Sequence, residues 1–263
     1  MKHLIVVISI ILLSIQQVGH AHGSQYEETF EDYSPTILTR NANNAFGNWR
    51  TVLMDGQSEI GPAAAGATPG NDTQTLRFST VNTDRASAID NSPSFTEGVI
   101  TLAFDFVLES ATGSNSFFYA NATDGANAGS QTTLFKLTAI RQSDQRFRVG
   151  TEADVNRFSG TSDSQTLAFG QWYRFHATID LDAGRFDWHI LDSDGEPTRI
   201  RFDNLDINAD SDKALQSIWF GKIGAANDLT GAIDNINITN ASEASDADDS
   251  NTTDDTPASP SGE

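Results

Sequence analysis

Apolar residues recur at every second position through much of this chain, and the pattern is clearest over residues 172–192, WYRFHATIDLDAGRFDWHILD. With a loop at 181–184 and Asp180 opposite Arg185, Tyr173, Phe175, Ala177, Ile179, Phe186, Trp188 and Ile190 share one face of a β-hairpin. Arg174, His176, Thr178, Asp180, Arg185, Asp187 and His189 share the other. A one-residue slip would mix the two sets, so the register is specified. That register makes His176 and His189 cross-strand neighbours, with Cβ atoms about 4.5–5.5 Å apart. A second stripe, Ile100, Leu102, Phe104, Phe106 and Leu108, carries Thr101, Ala103 and Asp105 on its reverse. The same alternation predicts strands over 29–33, 49–54, 75–79, 98–109, 116–121, 133–141, 146–151, 166–169, 198–202, 214–220 and 232–239. Turn residues at 143–145, 182–184 and 192–195 punctuate them. Many short strands with no helical period predict an all-β antiparallel sandwich or jelly roll. Residues 55–73, rich in Gly, Ala and Pro, read as a long loop.

The ends of the chain break the pattern. Residues 1–21 read as a secretory signal peptide, with Lys2 and His3 ahead of an apolar run at 4–15 and a Gly19-His20-Ala21 cleavage site. The run is short for a membrane span. The expected location is therefore secreted and extracellular, or periplasmic, without membrane insertion. Residues 22–240 suffice for one sandwich domain, and the absence of cysteine speaks against a small disulfide-stapled one. Residues 241–263 hold seven acids and no base. They read as a disordered acidic tail, or a linker toward a further module. The net charge of -20 repels nucleic acid and anionic lipid, which sets both aside as partners.

Three segments carry a family resemblance. Thr29-Phe30-Glu31-Asp32-Tyr33 resembles an "F-E-D/S" opening strand, Gly170-Gln171-Trp172-Tyr173-Arg174 a "G-x-W-Y-R/K" strand, and Gly231-Ala232-Ile233-Asp234-Asn235-Ile236 an "I-D-N-I/V" closing strand. In this order they resemble the concanavalin A-like lectin/glucanase (laminin G-like) jelly-roll superfamily. The resemblance implies a structural Ca²⁺ between the first and last strands, with Glu31 and Asp234 at the matching positions, since Ca²⁺ takes several oxygen ligands. It also implies glycan binding on the concave face of one sheet. The Glu-x-Asp-x-x-Glu strand of the fold's glycoside hydrolases is absent, as are the Arg-x-Glu-Leu, Gln-x-His and Tyr-x-Lys-x-Gly-x-Tyr strands of its alginate lyases.

The candidate ligand-binding residues are Trp172, Arg174, His176, Asp187 and His189 on the hairpin's polar face, joined by Arg148 from a nearby strand. The arginines favour an anionic polysaccharide, because guanidinium grips carboxylate or sulfate bidentately. The same pattern also describes an ordinary solvent face of an antiparallel sheet. For a β-eliminating lyase, His176, His189 and Arg174 would be the catalytic set, with Tyr119 or Tyr173. Cleavage after Ala21 would expose His22, a residue type used to hold copper at some mature N-termini. Asp206, Asn208, Asp210 and Asp212 have the alternate spacing of a calcium loop without its glycine or closing glutamate. Trp188 is core by alternation, whereas Trp219, between Ile218 and Phe220, has no assigned side. The leading expectation is a secreted, lectin-like carbohydrate-binding domain recognising an extracellular polysaccharide. The alternatives are a polysaccharide lyase and a structural matrix or surface domain.

Overall fold

Two antiparallel sheets face each other across a layer of aromatic and aliphatic side chains. The computed structural model describes residues 25–38, 49–51, 57–62, 74–80, 87–90, 93–112, 116–125, 132–152, 157–222 and 228–240. The expected signal peptide, His22, most of the 55–73 loop and the acidic tail lie outside them. The first sheet has nine strands, in the order β15 (Pro197–Asp206), β14 (Arg185–Leu191), β13 (Trp172–Asp180), β7 (Val99–Ala111), β17 (Leu229–Asn240), β5 (Thr75–Thr80), β4 (Gln57–Gly61) and β2 (Thr36–Leu38), with β1 (Gln25–Glu28) also paired to β17. The second has eight, in the order β11 (Arg157–Phe158), β10 (Arg146–Glu152), β9 (Thr133–Arg141), β8 (Ser116–Thr123), β16 (Ser217–Lys222), β6 (Ser87–Asp90) and β3 (Trp49–Thr51), with β12 (Leu167–Ala168) on β10.

The central hairpin takes the register its alternation dictates. Asp180 faces Arg185 and His176 faces His189, and β13 then pairs along β7 with Phe175 opposite Phe104. All seven residues of the apolar row are buried. Phe104 stacks on Phe175 at 5.1 Å and meets Phe220 of the second sheet edge-on at 5.0 Å. Trp188 stacks on Phe202 at 4.9 Å, and its indole N–H reaches Thr151 Oγ1 of the second sheet at 3.1 Å. β17 carries a bulge between Asp234 and Asn237, with Asn235 at φ 48°. The extra residue leaves Asp234 on the outer face and returns Ile236 and Ile238 to the core. Earlier in β17, Gly231 lies so close to β7 that a Cβ there would sit 2.7 Å from the Val107 carbonyl oxygen.

One predicted strand is misplaced. Residues 29–33 form a turn, and the first described strand is β1, just before them. Phe30 sits at φ 61°, its N–H donates to Glu28 Oε1 at 2.8 Å, and Tyr33 N–H closes onto the Phe30 carbonyl at 3.2 Å. The Glu28 carboxylate also accepts from the Tyr33 hydroxyl (2.9 Å) and the Trp49 indole (3.2 Å). Burial raises its pKa, and these donors oppose the rise.

Candidate functional site

The outer face of the first sheet presents the hairpin's polar row. Across it, Glu27, Asn237, Ala103, His176, His189 and Arg201 are successive Cα partners on β1, β17, β7, β13, β14 and β15. Ala103, small between two long neighbours, leaves a depression of about 330 Å³ lined by Glu27, Thr101, Arg174, His176, Asn235 and Asn237. The His176 and His189 rings lie 4.7 Å apart at 33°. Burial lowers both pKa values first, and the charge of the neighbouring imidazole then lowers that of His176 and Arg201 that of His189.

The structure gives two of the expected ligand residues other work. Arg174 grips the fully buried Asp105 bidentately, Nε to Oδ1 at 2.7 Å and Nη2 to Oδ2 at 2.8 Å, and Asn235 Nδ2 adds a third bond at 2.9 Å. That ion pair raises the Arg174 pKa and commits one edge of its guanidinium to the fold. Asp187 is exposed, and its carboxylate accepts the N–H of Asn204, a left-handed residue of β15 at φ 55°.

Two candidates do not join the set. Trp172 shares the face of Arg174, as its parity requires, but is 5% exposed and packs with Val107 and Ala232 in a small apolar cluster outside the main core. It therefore offers no stacking surface. Arg148 belongs to β10, so it lies on the opposite face of the sandwich from His176. The lyase constellation divides in the same way. Tyr119 is on β8 of the second sheet, while the Tyr173 hydroxyl donates to Gln171 and accepts the Ala168 N–H.

The second sheet's outer face holds what sequence reasoning missed. Ile218 and Phe220 are core, so Trp219 points outward, half-buried. Its Cα partner on β8 is Asn121, and Tyr119 follows two residues along. Phe158, Gly150, Thr138, Tyr119 and Gly221 form a row of Cα partners across five strands. The two glycines and the buried Thr138 make a low floor between Phe158 and Tyr119, whose strands are about 14 Å apart. The Arg148 guanidinium lies 5.7 Å from the centre of the Phe158 ring, and Lys136 pairs with Glu152. Trp219 Nε1, Asn121 Oδ1 and Arg148 Nε have no hydrogen-bond partner among the described residues. The signal that would have found this face was the apolar identity of both neighbours of Trp219.

The residues expected to hold calcium are engaged separately. Glu31 Oε1 accepts the Gln74 N–H at 2.6 Å, and the buried Asp234 accepts the Asn235 N–H at 2.8 Å. Among the described residues no three His, Cys, Asp or Glu side chains converge. Of the acidic run, Asp206 pairs with Arg185 at 3.1 Å, and Asn208 Oδ1 accepts the Asp210 N–H at 3.1 Å in a local turn.

No protein-family model matches the sequence, and no curated protein is similar to it. Solved structures do match in shape. A sialidase aligns over 83% of this chain at 11% identity with a TM-score of 0.53, the match spanning only 18% of that enzyme. A carbohydrate esterase from Shiga toxin-encoding bacteriophage phi24B aligns over 82% of this chain and 100% of its own, at 12% identity and a TM-score of 0.52. Lectin II from Ulex europaeus aligns over 82% of this chain and 97% of its own, at 12% identity and a TM-score of 0.50. Identities this low speak to fold alone. With its two antiparallel sheets, its hairpin register and these matches in shape, the chain has the concanavalin A-like, lectin-type β-sandwich fold.

Proposed function

We propose that this protein binds a carbohydrate on the outer face of its second sheet, across the floor of Gly150 and Thr138. The observation that carries the proposal is the grouping there of three half-buried aromatic side chains, Trp219, Tyr119 and Phe158, with Asn121 and Arg148. Sugar rings present apolar C–H faces to aromatic rings and hydroxyls to polar groups. A hydroxyl both donates and accepts, so one can serve an indole N–H and an amide oxygen left unpaired side by side. Arg148 adds a charge suited to a uronate or sulfate, which extends the proposal to an anionic polysaccharide. The lectin and carbohydrate-enzyme folds of the structural matches support the class of ligand. Export to an extracellular or periplasmic space, where polysaccharides are met, belongs to the same proposal.

Affinity electrophoresis against a panel of neutral and anionic polysaccharides tests it. At least one glycan retards the protein, and Trp219→Ala weakens that interaction by about 2 kcal/mol, roughly 30-fold in Kd. Arg148→Ala weakens binding to anionic glycans while leaving neutral ones unaffected. Unretarded migration on every glycan, or full binding by Trp219→Ala, defeats the proposal.

A structural Ca²⁺ held by Glu31 and Asp234 belongs to the proposal as a separate element. Its support is that β1 pairs directly with β17, so an ion at that end would join the chain's first and last described strands. With the ion present, EDTA lowers Tm by several degrees and excess Ca²⁺ restores it. An unchanged Tm removes calcium from the account.

A further inference from the structure

We infer that His176 and His189 form a binding site for a divalent transition-metal ion of the zinc and copper type, on the face of the sandwich opposite the proposed carbohydrate surface. The two residues are Cα partners on adjacent antiparallel strands, and their ring centres are 4.7 Å apart. A ring nitrogen lies a little over 1 Å from its centre, so small rotations about Cβ–Cγ bring one nitrogen of each ring within about 2.1 Å of a shared ion. Imidazole suits zinc, copper and nickel, whereas a hard ion such as Ca²⁺ requires oxygen ligands.

Four further observations favour a metal over a plain histidine stack. His176 Nδ1 has no partner among the described residues. Burial holds both rings toward the neutral form, which is the form that ligates. The carboxylates closest to the pair on this face are engaged elsewhere. Asp105 is held by Arg174, Asp187 by the Asn204 N–H, and Asp203 by Arg201 Nε at 2.7 Å. None of them forms a salt bridge with either imidazole. Finally, the 330 Å³ depression opens beside His176, so an ion there is reachable from solvent. No third His, Cys, Asp or Glu joins the pair among the described residues. The remaining coordination positions therefore go to water or to a molecule lying in the depression, the arrangement of an open rather than a closed metal site.

The test is calorimetric titration of the untagged mature protein with ZnCl₂, beside electron paramagnetic resonance of the Cu²⁺ adduct. One saturable zinc site is expected, with a two-nitrogen superhyperfine pattern from copper. His189→Asn, which keeps a polar side chain of similar reach, weakens zinc binding by roughly 10- to 100-fold or more. His176→Gln does the same, and both variants retain the wild-type far-ultraviolet circular dichroism. Absence of saturable zinc binding overturns the inference, as does His189→Asn binding zinc with wild-type affinity. Trp219→Ala keeps the metal site intact, so failure here and failure of the carbohydrate proposal are separable.

Discussion

Arg174→Met is expected to destabilise the fold by about 3–5 kcal/mol, because it strands a carboxylate rather than deleting a surface charge. Asp105 is fully buried, and both its oxygens take guanidinium hydrogen bonds at 2.7 and 2.8 Å. Without Arg174 its one remaining side-chain donor is Asn235 at 2.9 Å, beside the equally buried Asp234. A buried charge left with a single neutral donor is among the costliest defects a point substitution creates. Urea denaturation of Arg174→Met, Asp105→Leu and the double variant separates the pair from its parts. The double variant recovers much of the loss, since a buried ion pair replaced whole is often close to neutral. If Arg174→Met falls within 1 kcal/mol of wild type, the pair is not the anchor its geometry suggests. Arg174 is thus first a positioning residue of the sheet.

The other large loss is at Trp188. Its ring is fully buried, 5.7 Å from Phe175 and 4.9 Å from Phe202, and its N–H bridges the two sheets to Thr151. Trp188→Ala removes the apolar contact and leaves a cavity that close-packed neighbours only partly fill. That loss is about 3–5 kcal/mol. Trp188→Phe keeps most of the stacking and gives up the inter-sheet hydrogen bond, worth about 1 kcal/mol. Equal losses for the two variants would show that the bridge, not the ring, holds the sheets together. The same denaturation midpoints decide the matter.

What the amino-acid pattern reveals and what it hides follow from the range of the interactions. The hairpin register, the stripe on β7 and the turns at Gly184 and Gly195, with φ of 68° and 82°, are local facts, written in side-chain alternation and turn chemistry. β1 escaped notice because Tyr26 is its one buried residue among polar neighbours, Gln25, Glu27 and Glu28. The turn after it passed for a strand because its apolar Phe30 and Tyr33 pack on the core from irregular backbone. Arg148 was grouped with His176 because both lie on polar faces of neighbouring hairpins, yet alternation cannot tell which sheet a hairpin enters. Trp172 has the correct parity, but its covering partners, Val107 and Ala232, come from strands 65 and 60 positions away in sequence. Trp219 was ambiguous because Trp, Ile and Phe in a row break the two-residue period on which parity rests.

The strand order carries a consequence for how the protein is made. β17, the last described strand in chain order, lies in the interior of the first sheet, between β7 on one side and β1 with β5 on the other. As the chain emerges from the ribosome, β7 and β5 each wait with one hydrogen-bonding edge unmatched until almost the whole domain has been translated. Assembly of this sheet is therefore a late, long-range event, slow in the manner of sandwiches with distant pairings and exposed to association in the interval. A chaperone that shields the unmatched flank of β7 until the final strand arrives would serve this chain better than one that assists its early hairpins.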